Sequence, residues 1–179
     1  MAERIFLIRH GELPEPEAKR YPGPRHDPGL SEAGRAACSY LRELKCDLVF
    51  SGPSRRARET AAWIAAPLRI LPELDEIDFG DWAGLTYEEI ARTAAPEALR
   101  CWAETPTEMV FPGGESVAAF HRRVDAAFAR IAAWEAPQVA VVTHGGCLAR
   151  ILNGIRSDPL PRGAMTELIR ENGGWHEAK

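Results

Sequence analysis

The sequence predicts an α/β fold in which helices cover both faces of a mostly parallel sheet, giving three layers (α/β/α). Short apolar runs typical of buried strands alternate with longer segments whose apolar residues recur at helical spacing. The predicted strands are residues 5–8, 47–50, 68–71, 138–143 and, more weakly, 165–170. Helices are predicted from Ser31, Ser54 and Thr86, around Pro96, over 115–134 and over 145–153. A chain of 179 residues is expected to form one domain, residues 1–179.

The charge, the apolar runs and the cysteine spacing of the sequence argue against several classes of function. The formal net charge of -4 argues against general nucleic-acid binding, which needs a positive surface. No apolar run approaches the ~20 residues of a membrane span, and the N-terminus lacks a secretion signal, so we expect a cytoplasmic protein without membrane contact. The four cysteines show no metal-binding spacing, so we expect free thiols, no metal and no cofactor. A homodimer remains open.

Unusual polar residues follow three of the predicted strands. Arg9-His10-Gly11 ends the first strand, Ser51 ends the second shortly before Arg56, and His144-Gly145 follows the strand at 138–143. Ligands of open α/β sheets bind beyond the carboxyl ends of the strands. If these strands are neighbours, two imidazoles and several guanidiniums meet at one place.

This set of side chains suits phosphoryl transfer. Arginine offers planar, permanently charged forks that bind phosphate oxygens, so we expect Arg9 and Arg56 to bind phosphate. Nearby arginines keep an imidazole neutral and therefore nucleophilic, which makes His10 the candidate nucleophile. Gly11 and Gly145 allow the backbone to approach the phosphate and donate N–H groups.

A proton donor for the leaving alcohol is expected in the acidic loop 73–82. A carboxyl group beside a bound phosphate has a raised pKa, because like charges disfavour its ionised form. Glu76 is the candidate for this role, and Glu73, Asp75 and Asp78 compete with it.

Several motifs, in order along residues 3–155, resemble the histidine phosphatase superfamily, which includes the cofactor-dependent phosphoglycerate mutases. The matching segments are Arg9-His10-Gly11-Glu12, the Leu30-Ser31-Glu32-Ala33-Gly34-Arg35 segment, residues 51–61 (SGPSRRARETA), residues 74–82 (LDEIDFGDW), Gly113-Gly114-Glu115-Ser116 and Thr143-His144-Gly145.

The resemblance implies a phosphoglycerate mutase-like fold and metal-independent hydrolysis through a phosphohistidine at His10. Arg9, Arg56 and His144 would line the phosphate pocket, and Glu76 would be the general acid and then the base. The chain departs from the family where Leu13 and Pro16 replace a common Thr and Asn, so its substrate pocket is expected to differ.

The substrate of such an enzyme stays open at this stage. The separation of Glu76 and His144 is short for a mutase, which favours simple hydrolysis of a small phosphate ester. The loop at 19–23 and residues 72–82 and 111–116 look like the α-ribazole phosphatase-like branch, which implies α-ribazole 5′-phosphate and cobalamin biosynthesis. The alternatives are a broad-specificity or sugar-phosphate phosphatase, a phosphoglycerate mutase, a protein-phosphohistidine phosphatase, and a regulatory module that binds phosphate without turnover.

Overall fold

The computed structural model describes residues 1–178. Within them, six strands form one sheet, and their bounds are β1 Arg4–Arg9, β2 Leu48–Ser51, β3 Leu68–Ile70, β4 Gln138–Thr143, β5 Met165–Glu171 and β6 Gly174–Glu177. The α-helices of the same residues are α1 Glu32–Ala37, α2 Arg55–Ala61, α3 Tyr87–Thr93, α4 Pro96–Glu104, α5 Val117–Ala132 and α6 Gly145–Ile151. Short 3-10 turns lie at 17–19, 38–43, 72–74, 80–82 and 106–108.

The sheet is mixed, with strand order β3-β2-β4-β1-β5-β6. The first four strands of this order are parallel, and β5 and β6 are antiparallel to their neighbours. The predicted α/β class and the mostly parallel arrangement are therefore confirmed. β6 is antiparallel to β5 because a tight turn at Asn172 and Gly173, both with positive φ, joins the two strands.

The side chains of each strand point alternately to the two faces of the sheet, and a hydrophobic core lies on each face. Phe6 and Ile8 of β1 face a smaller core that is closed by the 3-10 turn at 38–43 and by α2, whereas Ile5 and Leu7 face a larger core. The larger core is completed by α3, α5 and α6 and by an aromatic group around Phe111. Adjacent side chains of a strand point to opposite faces, so each strand supplies both layers.

Three of the predicted N-caps are confirmed. The hydroxyls of Ser31, Ser54 and Thr86 accept hydrogen bonds from the third residue of the helix that follows. The helix predicted over 115–134 begins instead at Val117, because Ser116 caps it. After Ala37 the chain tightens into a 3-10 turn, although Leu41 and Leu44 have helical spacing. No helix of residues 1–178 has the length and apolar character needed to cross a bilayer.

One side-chain hydrogen bond fixes the acidic loop to the central sheet. At the end of β4, buried Thr143 donates through Oγ1 to the carbonyl oxygen of Leu74 at 2.6 Å. The backbone of residues 74–76 therefore lies beside the residues that follow β4.

We predict that Thr143→Val lowers the free energy of unfolding by about 1–3 kcal/mol, because valine keeps the shape but leaves a buried carbonyl poorly paired. Urea unfolding followed by circular dichroism measures this effect. Thr107→Val is the matched control, since Thr107 is exposed and no side-chain hydrogen bond of it is found in residues 1–178. An equal loss in both variants would contradict the assigned role of the Thr143 hydroxyl.

Candidate active site

The parallel pairing of β1 with β4 brings the two predicted histidines together. Arg9 lies opposite Thr143 in the register, so His10 and His144 leave the sheet side by side. Their ring centroids are 5.2 Å apart and both side chains are buried. The carboxyl edge of the sheet thus holds the pair of imidazoles that the sequence predicted.

The tautomer of His10 follows from its hydrogen bond. Nδ1 lies 2.8 Å from the carbonyl oxygen of Gly11. A carbonyl oxygen only accepts hydrogen bonds, so Nδ1 carries the proton and Nε2 keeps its lone pair. His10 therefore presents the ring atom that a nucleophile requires.

Both imidazoles are held neutral. Burial, followed by the neighbouring His144 ring and the charge of Arg56, lowers the pKa of His10 well below 6.5. Burial, followed by the charges of Arg56 and Arg123, has the same effect on the pKa of His144. A buried charge next to other cations is unfavourable, so neither ring binds a second proton near pH 7.

The protein anchors His144 along one edge of its ring. Nε2 lies 3.2 Å from Ser54 Oγ and 3.3 Å from Asp75 Oδ1. Nδ1 is buried and has no hydrogen-bond partner among residues 1–178. Nδ1 is therefore the ring nitrogen that the described part of the protein leaves unpaired.

Two arginines complete the site. Arg9 donates from Nη1 to the carbonyl oxygen of Leu160 at 2.8 Å, and the fully buried side chain of Arg56 donates from Nη1 to Asp27 Oδ1 at 3.1 Å. The Nε groups of both arginines are buried and unpartnered in the described part of the chain. An unpaired buried donor costs about 1–3 kcal/mol, so these two N–H groups fit an acceptor-rich ligand.

Glu76 lies where a proton donor is needed. Its carboxylate accepts from the backbone N–H of Gly146 at 3.2 Å and of Ile77 at 3.1 Å. Burial raises its pKa, although these N–H groups and the charges of Arg56 and Arg9 oppose the shift. A Cβ atom at Gly146 would overlap Oε1 of Glu76, so only glycine allows the carboxyl group to lie here.

The two glycines of the prediction differ in what they do. Gly145 allows close packing, because a Cβ atom there would lie 3.0 Å from Nη2 of Arg9. Gly11 was expected to donate its N–H to phosphate, and this expectation was wrong. That N–H donates to Thr60 Oγ1 at 3.0 Å, because Gly11 packs against α1 and the smaller core. Gly146, in the first turn of α6, also uses its backbone N–H within the protein, because it donates to Glu76.

Several site residues were missed by the sequence reasoning. Ser54 and Asp75 contact His144, and Asp27, from the loop at 13–29, contacts Arg56. Ser54 was recognised only as a helix cap, and Asp75 only as a competitor of Glu76. The proximity of Asp27 carries no local sequence signal, since it depends on how a long loop folds back.

A cavity of about 490 Å³ adjoins the carboxyl group of Glu76. Its lining is largely apolar and aromatic, and includes Phe79, Trp102, Val117, Phe120 and His121. Trp102 packs edge-on against Phe111 with ring centroids 5.2 Å apart. Trp102 packs against the larger core and also lines this cavity, and His121 lies on the same lining.

Other reactive groups do not join the site chemistry. Burial raises the pKa of the Cys147 thiol, whose sulfur donates to the carbonyl oxygen of Asp75, so this cysteine is unsuited to nucleophilic attack. Among residues 1–178, no group of three or more His, Cys, Asp or Glu side chains is placed to hold a metal ion.

A sheet edge that gathers two neutral imidazoles, two arginines and a carboxylic acid is typical of enzymes that act on phosphate esters. The comparison with protein families agrees: the model of the histidine phosphatase superfamily (branch 1) matches residues 5–178, and the chain belongs to that superfamily. Membership implies phosphatase or mutase activity.

Curated relatives carry different names. A bifunctional protein of Mycobacterium tuberculosis is 40% identical over 151 residues, which are 79% of this chain but only 41% of the relative. An adenosylcobalamin/alpha-ribazole phosphatase of Salmonella typhimurium is 29% identical, covering 96% of this chain and 88% of the relative. A phosphoserine phosphatase of Hydrogenobacter thermophilus is 37% identical, covering 68% and 60%.

Solved structures share the whole fold. The candidate alpha-ribazole-5′-P phosphatase of Escherichia coli superimposes with a TM-score of 0.88 at 25% identity, covering 99% of this chain and 95% of that one. A protein of Thermus thermophilus superimposes with a TM-score of 0.78 at 29% identity, covering 98% and 97%.

Proposed function

We propose that this protein is a metal-independent phosphomonoester hydrolase that works through a phosphohistidine at His10. The observation that carries the proposal is the state of His10: its proton is on Nδ1, its Nε2 lone pair is free, and its neighbours keep it neutral. The unpartnered Nε–H groups of Arg9 and Arg56 supply donors that phosphate oxygens need.

The reaction has two steps in this proposal. Nε2 of His10 forms a bond to phosphorus, and the ester oxygen leaves with the bonding electron pair and takes a proton from Glu76. Water then attacks the phosphohistidine while the Glu76 carboxylate removes its proton. The P–N bond breaks, its electron pair returns to Nε2, and inorganic phosphate leaves.

We propose α-ribazole 5′-phosphate as the substrate, which would place the protein in cobalamin biosynthesis. The Salmonella relative and the Escherichia coli structure bear that activity in their names. The cavity beside Glu76 supports it, because the leaving alcohol of this substrate carries a planar aromatic base. A cavity of about 490 Å³ with an aromatic lining is of the size that holds such a group.

A small polar leaving group, such as serine, is the alternative that the Hydrogenobacter relative suggests. Its ammonium and carboxylate would need charged partners in the same cavity. Arg150 lies on the cavity lining, but it is bidentate with Asp125 at 2.7–2.8 Å, so its charge is already paired. This pairing favours the aromatic substrate.

The first test is phosphate release in EDTA from α-ribazole 5′-phosphate, O-phosphoserine, 3-phosphoglycerate, fructose 2,6-bisphosphate and an aryl phosphate. We expect turnover without added metal, and we expect His10→Ala to reduce it by about 10³-fold or more. His176→Ala is the matched control, because His176 is exposed on β6. Trapping with labelled substrate is expected to yield an acid-labile phosphohistidine in the wild type only. Turnover retained by His10→Ala, or a strict metal requirement, would refute the mechanism.

Glu76→Gln is expected to discriminate between leaving groups. Alkyl phosphates need a proton donor, so kcat/KM for them is expected to fall by about 10²–10⁴-fold, whereas aryl phosphates lose much less. Glu73→Gln, in the same loop, is the control.

The pH dependence supplies an independent readout of Glu76. The protonated acid is the active form, so kcat/KM for an alkyl phosphate is expected to fall as pH rises through a Glu76 pKa above its ordinary 4.5. On the acid side, activity is expected to persist below pH 6.5, because the pKa of His10 is lowered. Glu76→Gln is expected to lose the high-pH limb, and an unchanged limb would exclude Glu76 as the donor.

The substrate proposal is tested at Trp102. Stacking of a base on an aromatic side chain contributes about 1–3 kcal/mol, so Trp102→Leu is expected to lower kcat/KM for α-ribazole 5′-phosphate by about 5- to 150-fold. Trp102→Phe is expected to keep most of it, and O-phosphoserine turnover is expected to be unaffected. An equal loss for both substrates would indicate a general structural effect and contradict base stacking.

A further inference from the structure

The segment 160–164 wraps around the end of β1, where the proposed nucleophile lies. The carbonyl oxygens of Leu160 and Ala164 accept from Nη1 and the backbone N–H of Arg9, at 2.8 and 3.1 Å. The N–H of Gly163 donates to the carbonyl oxygen of His10 at 2.9 Å. Arg162, in the middle of this segment, is thereby held at the rim of the site.

The guanidinium of Arg162 has most of its donors free. Nη2 donates to the carbonyl oxygen of Ala18 at 3.0 Å, which ties the rim to the loop at 13–29. No carboxylate of residues 1–178 lies within ion-pair distance of it. The charge of Arg162 acts on both Arg9 and Arg56. It is the largest cause, after burial, of the lowered pKa of Arg9, and it also lowers the pKa of Arg56.

The charge balance of the site shows why this cation matters. Arg9 and Arg56 face three carboxyl groups: Asp27 at 3.1 Å from Arg56, and Asp75 and Glu76, whose charges act on Arg56 as well. The other nearby cation, Arg123, is already paired with Glu115 at 2.8 Å and with backbone carbonyls. The two guanidiniums carry two positive charges, and the carboxyl groups carry two negative charges when Glu76 is protonated and three when it is ionised. The site therefore has no surplus positive charge for a doubly negative phosphoryl group.

We propose that Arg162 is a third phosphate-binding arginine, supplying the surplus positive charge that draws a phosphoryl dianion to His10. The inference rests on the proposed function for the place where phosphate binds. Arginine can do this while keeping the Ala18 contact, because its fork carries five N–H donors and only one hydrogen bond is in use.

The test is the binding of inorganic phosphate, measured by calorimetry on the 179-residue protein. A hydrogen bond to a charged group is strong enough that Arg162→Ala is expected to raise the Kd by about 10- to 100-fold. Arg162→Gln, which can still donate to Ala18 but is uncharged, is expected to lose as much, and Arg162→Lys is expected to retain part of the affinity. Arg58→Ala, an exposed arginine of α2, is the control without effect.

The outcomes separate the two possible roles of Arg162. In turnover, a binding role predicts that KM rises more than kcat falls. Unchanged phosphate affinity in Arg162→Ala, or full affinity in Arg162→Gln, would overturn the proposal and leave Arg162 as a tether of the loop only. If Arg162→Ala fails to fold, the Gln and Lys variants give the same comparison.

Phosphate binding does not require turnover, so the two proposals can fail separately. A silent substrate panel together with weakened phosphate binding in the Arg162 variants would refute hydrolysis and keep this inference. Active turnover together with unchanged phosphate binding in the Arg162 variants would support hydrolysis and refute this inference.

Discussion

The parallel pairing of β1 with β4 is the constraint on which the rest of the site depends. It sets Arg9 opposite Thr143, and therefore places His10 and His144, which are 134 positions apart in the chain, with rings 5.2 Å apart. Side-chain direction alternates along a strand, so a shift of one residue in this register would turn one imidazole toward the opposite layer. The hydrogen bond from Thr143 to Leu74 extends the same constraint to the acidic loop.

Burial converts this geometry into chemistry. The two imidazoles lie among arginines and are shielded from water, so protonation of either ring is unfavourable and His10 keeps a free lone pair. The same burial acts in the opposite direction on Glu76, whose carboxyl group holds its proton to a higher pH. One desolvated environment thus prepares both a neutral nucleophile and a proton donor, which is the pair that the proposed hydrolysis requires.

Prediction from the sequence succeeded where the signal was local. Ser31, Ser54 and Thr86 cap helices because a side-chain oxygen next to a helical segment finds its N–H partner within three residues. The strand at 138–143 was delimited correctly by its β-branched run. Helical spacing is a weaker signal after Ala37: Leu41 and Leu44 have that spacing, but the chain forms a 3-10 turn there, which buries the leucine at 41 as well. Gly11 was misread because its N–H partner, Thr60, is 49 residues away.

By itself, the sequence determined the α/β class, the superfamily motifs and the residue types able to handle phosphate: His10, His144, Arg9, Arg56 and Glu76. Only the tertiary structure decided which atoms of these residues are free, since that depends on the Gly11 carbonyl, on Ser54 and on Asp75. It also decided that Trp102 lines a cavity beside Glu76 and that Arg162 lies at the rim. The physical reason is that charge, burial and hydrogen bonding act through space, between segments whose separation in the chain carries no record of their contact.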